Sequence, residues 1–83
     1  MTDTKHEGLP VPGYQPQSGL AVAMVGHNKV MEEQLLRELD ALAEREDVDK
    51  RWLAIGRTAI EQGFMAVNRA IFRPARVRLP EDG

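Results

Sequence analysis

The sequence predicts an all-α protein: an antiparallel helical hairpin with an extended N-terminal arm and C-terminal tail, assembled as a homo-oligomer. Three observations lead there. Two long proline-free stretches place apolar residues three and four positions apart. The polar link Arg45-Glu-Asp-Val-Asp49 between them is short, and such a connection returns the second helix antiparallel to the first. The chain has 83 residues and no cysteine, so its single core is small and no disulfide supplements it. Most structural zinc sites draw on thiolates and are excluded with them. Subunit contacts remain as the source of the missing stability.

The whole chain, 1–83, reads as a single domain. Residues 1–17 contain Gly8, Pro10, Pro12, Gly13 and Pro16; proline removes backbone donors and disfavours helix at the residue before it, so this segment is an extended arm. Ser18 is placed to N-cap a helix over 18–46, rich in Ala, Leu, Met, Glu and Arg, with Gly26 as the site of a kink. On that helix Met24, Asn28, Met31, Leu35, Leu39 and Leu42 share one stripe, apolar except for Asn28. Asp47 or Asp49 caps a second helix over 49–72, stopped before Pro74. Its bulky stripe, Leu53, Ile60, Phe64, Val67 and Ile71, suits packing against the first helix. About a quarter turn away lie Trp52, Gly56, Ala59, Gly63, Ala66 and Ala70. Glycine in mid-helix costs ~1 kcal/mol relative to alanine, so a further helix from another subunit is expected on this small-residue face. Opposite the bulky stripe stand Arg51, Thr58, Gln62, Arg69 and Arg73, with Arg57, Glu61 and Asn68 in the sector between. The tail, 73–83, is proline-bounded and extended, and offers Val77 and Leu79 to a neighbour.

Composition narrows the function classes. Two histidines (His6, His27), one serine (Ser18), no cysteine and no Gly-rich phosphate loop leave few parts for nucleophile-and-base chemistry, so an enzyme is not expected. No apolar run reaches the ~18–20 residues of a membrane span, and the first residues have no apolar segment of the secretory kind, which predicts a soluble, intracellular and complete small protein. The formal net charge of −2 hides an asymmetry. From Glu32 to Asp49 there are eight acids and two arginines; from Lys50 to Arg78 there are seven bases and one acid, Glu61. Pairing of adjacent helices accounts for this pattern, and so does an anion site, since eight of the eleven bases are arginine, whose fork matches phosphate. Near-neutral charge without a long basic tract disfavours duplex nucleic acid.

Single residues have two readings each. Tyr14, the one tyrosine, either pins the arm to the helices or stacks on a nucleobase from a stiff proline-flanked segment. Lys29 is either solvated or aimed at a phosphate. Asn28 either fixes helix register or contacts a ligand. Arg69 is either a surface ion-pair partner or a phosphate clamp. Trp52 reads as core or interface, and His27, with no thiolates and no paired carboxylates, does not make a metal site.

The wording of certain segments adds to this. Gly13-Tyr-Gln-Pro16, Asn28-Lys29 followed by Glu-Glu-Gln-Leu-Leu-Arg37, the run Asp49-Lys-Arg-Trp-Leu-Ala-Ile-Gly-Arg57, and Gln62-Gly-Phe-Met-Ala-Val-Asn-Arg-Ala-Ile-Phe72 before Pro74 resemble the phage anti-CBASS cyclic-oligonucleotide sponges, which share a helical hairpin with the anti-Thoeris sponge. The resemblance covers about Leu9 to Pro80.

It implies a homohexamer, in the cytoplasm of an infected bacterial host, that sequesters cyclic dinucleotides and cyclic trinucleotides such as 3′,3′-cyclic GMP-AMP and cyclic tri-AMP without cleaving them. CBASS effectors are then never activated. It further implies no catalytic residue, metal or cofactor, a cyclic dinucleotide site using Tyr14 and Lys29 with Gln15 and Asn28, and a separate cyclic trinucleotide site using Arg69 with Thr58 and Arg57. Two alternatives stand beside it: a helical protein-binding adaptor without a nucleotide ligand, and a phosphodiesterase, the latter disfavoured by the lack of a metal-ligand cluster.

Overall fold

A side-chain oxygen opens each helix. Ser18 Oγ accepts from the Ala21 N–H at 3.1 Å, and Asp49 Oδ1 from the Trp52 N–H at 3.0 Å. Each such cap satisfies a donor that has no intrahelical partner, which stabilises the helix start by about 1 kcal/mol. The computed structural model describes residues 5–6 and 16–83, and the two capped helices dominate it: α1 (Gly19–Ala43) and α2 (Lys50–Phe72).

The helix limits differ from expectation at the link. α1 ends at Ala43, short of 46, because the chain tightens there: Glu44 N–H bonds to the Ala41 carbonyl at 3.2 Å and Arg45 N–H to that of Leu42 at 3.0 Å. Arg45 then grips Asp47 through both carboxylate oxygens, at 2.9 and 2.7 Å, and the Lys50 ammonium donates to the Arg45 carbonyl. α2 starts at Lys50, with Asp49 rather than Asp47 as its cap. α1 runs through Gly26 without a break in its helical hydrogen bonding, and among the described residues a Cβ there would meet nothing within 4 Å.

α2 stops where Pro74 requires it to. Arg73 turns into the left-handed region (φ 50°, ψ 55°), and its N–H bonds to the Arg69 carbonyl at 2.7 Å. That conformation costs an L-residue roughly 1–2 kcal/mol. The tail is not extended to its end, since Pro80–Asp82 form a 3₁₀ turn in which Asp82 Oδ2 accepts from the Leu79 N–H at 2.9 Å. Two short strands also qualify the all-α expectation. β1 (Lys5–His6) pairs antiparallel with β2 (Gln17–Ser18), with Lys5 opposite Ser18 and His6 opposite Gln17.

The helices pack as the expected hairpin, through a line on α1 that keeps Asn28, Leu35 and Leu39 of the expected stripe but is rotated away from Met24, Met31 and Leu42. Ala21, Val25 and Leu39 are buried, and Asn28, Glu32, Leu35 and Leu36 are half-buried. These residues recur at helical spacing and define the contact line. Met24, Met31 and Leu42 stand on its exposed flank. The small Ala21 and Val25 let α2 approach closely, whereas the longer methionines are displaced to the rim. From α2 come Leu53, Arg57, Ile60, Phe64, Asn68 and Ile71, all half-buried; Val67 is exposed. Among the described residues α2 buries no side chain fully.

Candidate functional site

Asn28 is held between the helices. Its Nδ2 donates to Asn68 Oδ1 at 3.0 Å, so the one polar member of the α1 stripe finds its partner on α2. A half-buried amide left alone would cost about 1–3 kcal/mol, which this bond avoids. Asn28 also lines an apolar groove of about 400 Å³ with Met31, Leu35, Ile60, Phe64 and Val67. Lys29 is next in sequence but a helical step away in direction. It is exposed and makes no ion pair among the described residues.

The second set of residues divides. Thr58 lies on the outer face of α2, lining a shallow hollow of about 410 Å³ with Ala54, Ile55, Ala59 and Gln62. Arg69, three turns further along α2, is exposed and unpaired among the described residues. Arg57 faces the other way: its Nη1 meets Asp40 Oδ1 at 2.7 Å across the hairpin. The hydrogen bond to Asp40 raises the guanidinium pKa against the opposing effect of desolvation, and the charges of Asp40, Glu61 and Glu33 add to it. Arg57 therefore sits on an acidic edge, away from Thr58 and Arg69. Tyr14 and Gln15 lie outside the described residues.

Exposed apolar surface surrounds these groups. Leu20 is 71 % exposed, Met65 67 % and Trp52 61 %; the Arg51 guanidinium lies 5.5 Å above the Trp52 ring, in the range of a cation–π contact. A Cβ built at Gly56 or Gly63 meets nothing within 4 Å. Among the described residues nothing covers the small-residue face of α2 at these two positions.

A hairpin of this kind, with polar groups distributed over an open apolar surface, is matched by a family described as Acb2/Tad1, hairpin domain, over residues 7–72. The chain belongs to this family. It comprises the anti-CBASS and anti-Thoeris sponges, which are sponge proteins rather than enzymes and bind cyclic oligonucleotides. No curated protein and no solved structure matches the chain. The region matched by the sponge family includes Tyr14, Gln15, Asn28, Lys29, Arg57, Thr58 and Arg69, and ends before Arg73. No helix among the described residues is long and apolar enough to cross a membrane.

Three residues of this hairpin escape a reading by periodicity. Asn68 is the partner of Asn28, Asp40 is the partner of Arg57, and Gln17 ties the base of the arm to the end of α2, its Nε2 donating to the Phe72 carbonyl at 2.8 Å. Equal polar types at Asn28 and Asn68 were a usable signal. Nothing local in sequence links Gln17 to Phe72.

Proposed function

We propose that this protein is a sponge that binds cyclic dinucleotides and cyclic trinucleotides and withholds them, uncleaved, from CBASS effectors, working as a homohexamer in the cytoplasm of a phage-infected bacterium. The family match over 7–72 is the observation that carries the reading. Lys29 and Arg69, which make no ion pair among the described residues, supply cations for phosphates, and the exposed apolar residues supply surface for assembly.

In this reading Tyr14 stacks on a base and Lys29 meets a phosphate of the dinucleotide, with Gln15 and Asn28 adding polar contacts. Asn28 has one Nδ2 hydrogen engaged with Asn68, which leaves its second N–H and its carbonyl oxygen for a ligand. Arg69 holds the trinucleotide beside Thr58. Arg57 contributes only if ligand displaces Asp40, which makes it the weaker member of that set.

Sequestration requires tight binding and no turnover. Purified protein incubated with 3′,3′-cyclic GMP-AMP and then heat-denatured is expected to release the cyclic compound intact. Recovery of a linear or hydrolysed product would overturn the sponge reading in favour of a phosphodiesterase, and absence of binding would favour a protein-binding adaptor.

A further inference from the structure

The apolar groove lined by Met31, Leu35, Ile60, Phe64 and Val67 has Asn28 as its one polar wall among the described residues. Its walls reach solvent, with Met31 40 % exposed and Val67 53 %. The tail that follows α2 carries apolar side chains with the same deficit. Val77 and Leu79 are each 50 % exposed, and no described residue of the tail lines the groove of its own chain. Groove and tail therefore both leave apolar surface in water, which burial of one by the other would remove.

Spacing and charge fit the two together. Leu79 has extended backbone (φ −102°, ψ 159°), and side chains alternate along an extended chain. Val77 and Leu79 then share one side, about 7 Å apart, with Arg76 and Arg78 on the other. Along the groove, the steps from Met31 to Leu35 and from Ile60 to Phe64 each advance about 6 Å. Arg76 makes no ion pair among the described residues, nor does Arg78, whose Nη2 donates to the Asp82 carbonyl at 3.5 Å. Glu38 follows Leu35 by three positions and Met31 by seven, so it stands on their side of α1. It is exposed and also has no ion pair among the described residues. A tail that alternates apolar and basic residues thus complements an apolar groove with an acid on its flank.

We propose that the groove receives the tail of a second copy of this chain, with Val77 and Leu79 seated between α1 and α2 and the long Arg76 and Arg78 side chains reaching the rim where Glu38 stands. The tail lies beyond the sponge-family match, which ends at residue 72, so the proposal stands apart from the nucleotide reading and its test uses no nucleotide. The chain has no cysteine, so introduced thiols react without competition from native ones. Met31→Cys and Leu79→Cys proteins, mixed and mildly oxidised, are expected to form a mixed disulfide dimer about tenfold faster than Val30→Cys mixed with Leu79→Cys, because seating the tail raises the effective concentration of the two thiols. Val30 is 56 % exposed on α1 and is not part of the groove. Val77→Asp/Leu79→Asp, which changes neither helix, should lower the melting temperature by several degrees at high protein concentration. Equal rates for the two thiol pairs would overturn the proposal, as would an unchanged melting temperature in the aspartate variant. A Met31→Cys/Leu79→Cys double variant that closes within one chain faster than it dimerises would overturn it too, by making the chain's own tail the occupant.

Discussion

Asn28 and Lys29 are neighbours in sequence with opposite surroundings, because a helix turns its side chains by roughly 100° per residue. The amide points at α2 and bonds there; the ammonium is exposed and has no ion pair among the described residues. Lys29 can therefore be removed at little cost to the fold. The same holds for the exposed Arg69. Tyr14→Ala and Lys29→Ala are each expected to weaken 3′,3′-cyclic GMP-AMP binding about tenfold or more, given ~1–3 kcal/mol for a stacked base and a similar contribution from a charged hydrogen bond. Arg69→Ala should spare that ligand and weaken cyclic tri-AMP. Calorimetry with both ligands on all three variants checks this, and parallel losses would contradict two independent sites. Arg57 is a different case. Its pairing with Asp40 is solvent-accessible, and such pairs add little to stability.

At the level of elements, both helices begin on caps that are local and readable, and both end for local reasons: a tightened turn at Glu44, and Pro74 after α2. The faces of α2 are another matter. Gly56 and Gly63 weaken the helix by ~1 kcal/mol each relative to alanine, and among the described residues nothing close to them explains their presence. Gly56→Ala/Gly63→Ala should consequently strengthen a lone hairpin but obstruct a second helix that packs on the small-residue face. The expected outcome is loss of assembly in sedimentation with helicity by circular dichroism retained or raised. A double variant that assembles normally and melts at a higher temperature would show that this face is not an interface.

For the whole molecule, the radius of gyration is 17.7 Å, against about 12 Å for a compact domain of this length. Two helices side by side enclose little, and Ala21, Val25 and Leu39 are the buried apolar residues among those described. A core of that size supplies little stability by itself. Association should supply the remainder, which makes stability depend on protein concentration. The melting temperature is expected to climb by several degrees over a hundredfold increase in concentration, and a value independent of concentration would identify a self-sufficient monomer.

The hairpin, the Ser18 cap and the division of each helix into apolar and polar faces were legible in sequence alone, because periodicity and capping involve residues within a few positions of each other. So was the family, from the particular residues of the helices rather than from their pattern. The tertiary structure decided which sector of α1 meets α2, favouring Ala21, Val25 and Asn28 over Met24 and Met31. It also decided that Asn28 binds Asn68, that Arg57 is drawn to Asp40, and that Gln17 reaches Phe72. Each of these pairs joins residues far apart along the chain, and whether they meet depends on how the two helices are rotated and offset against each other. Local spacing places a side chain on a face; only the packing of that face selects what it touches.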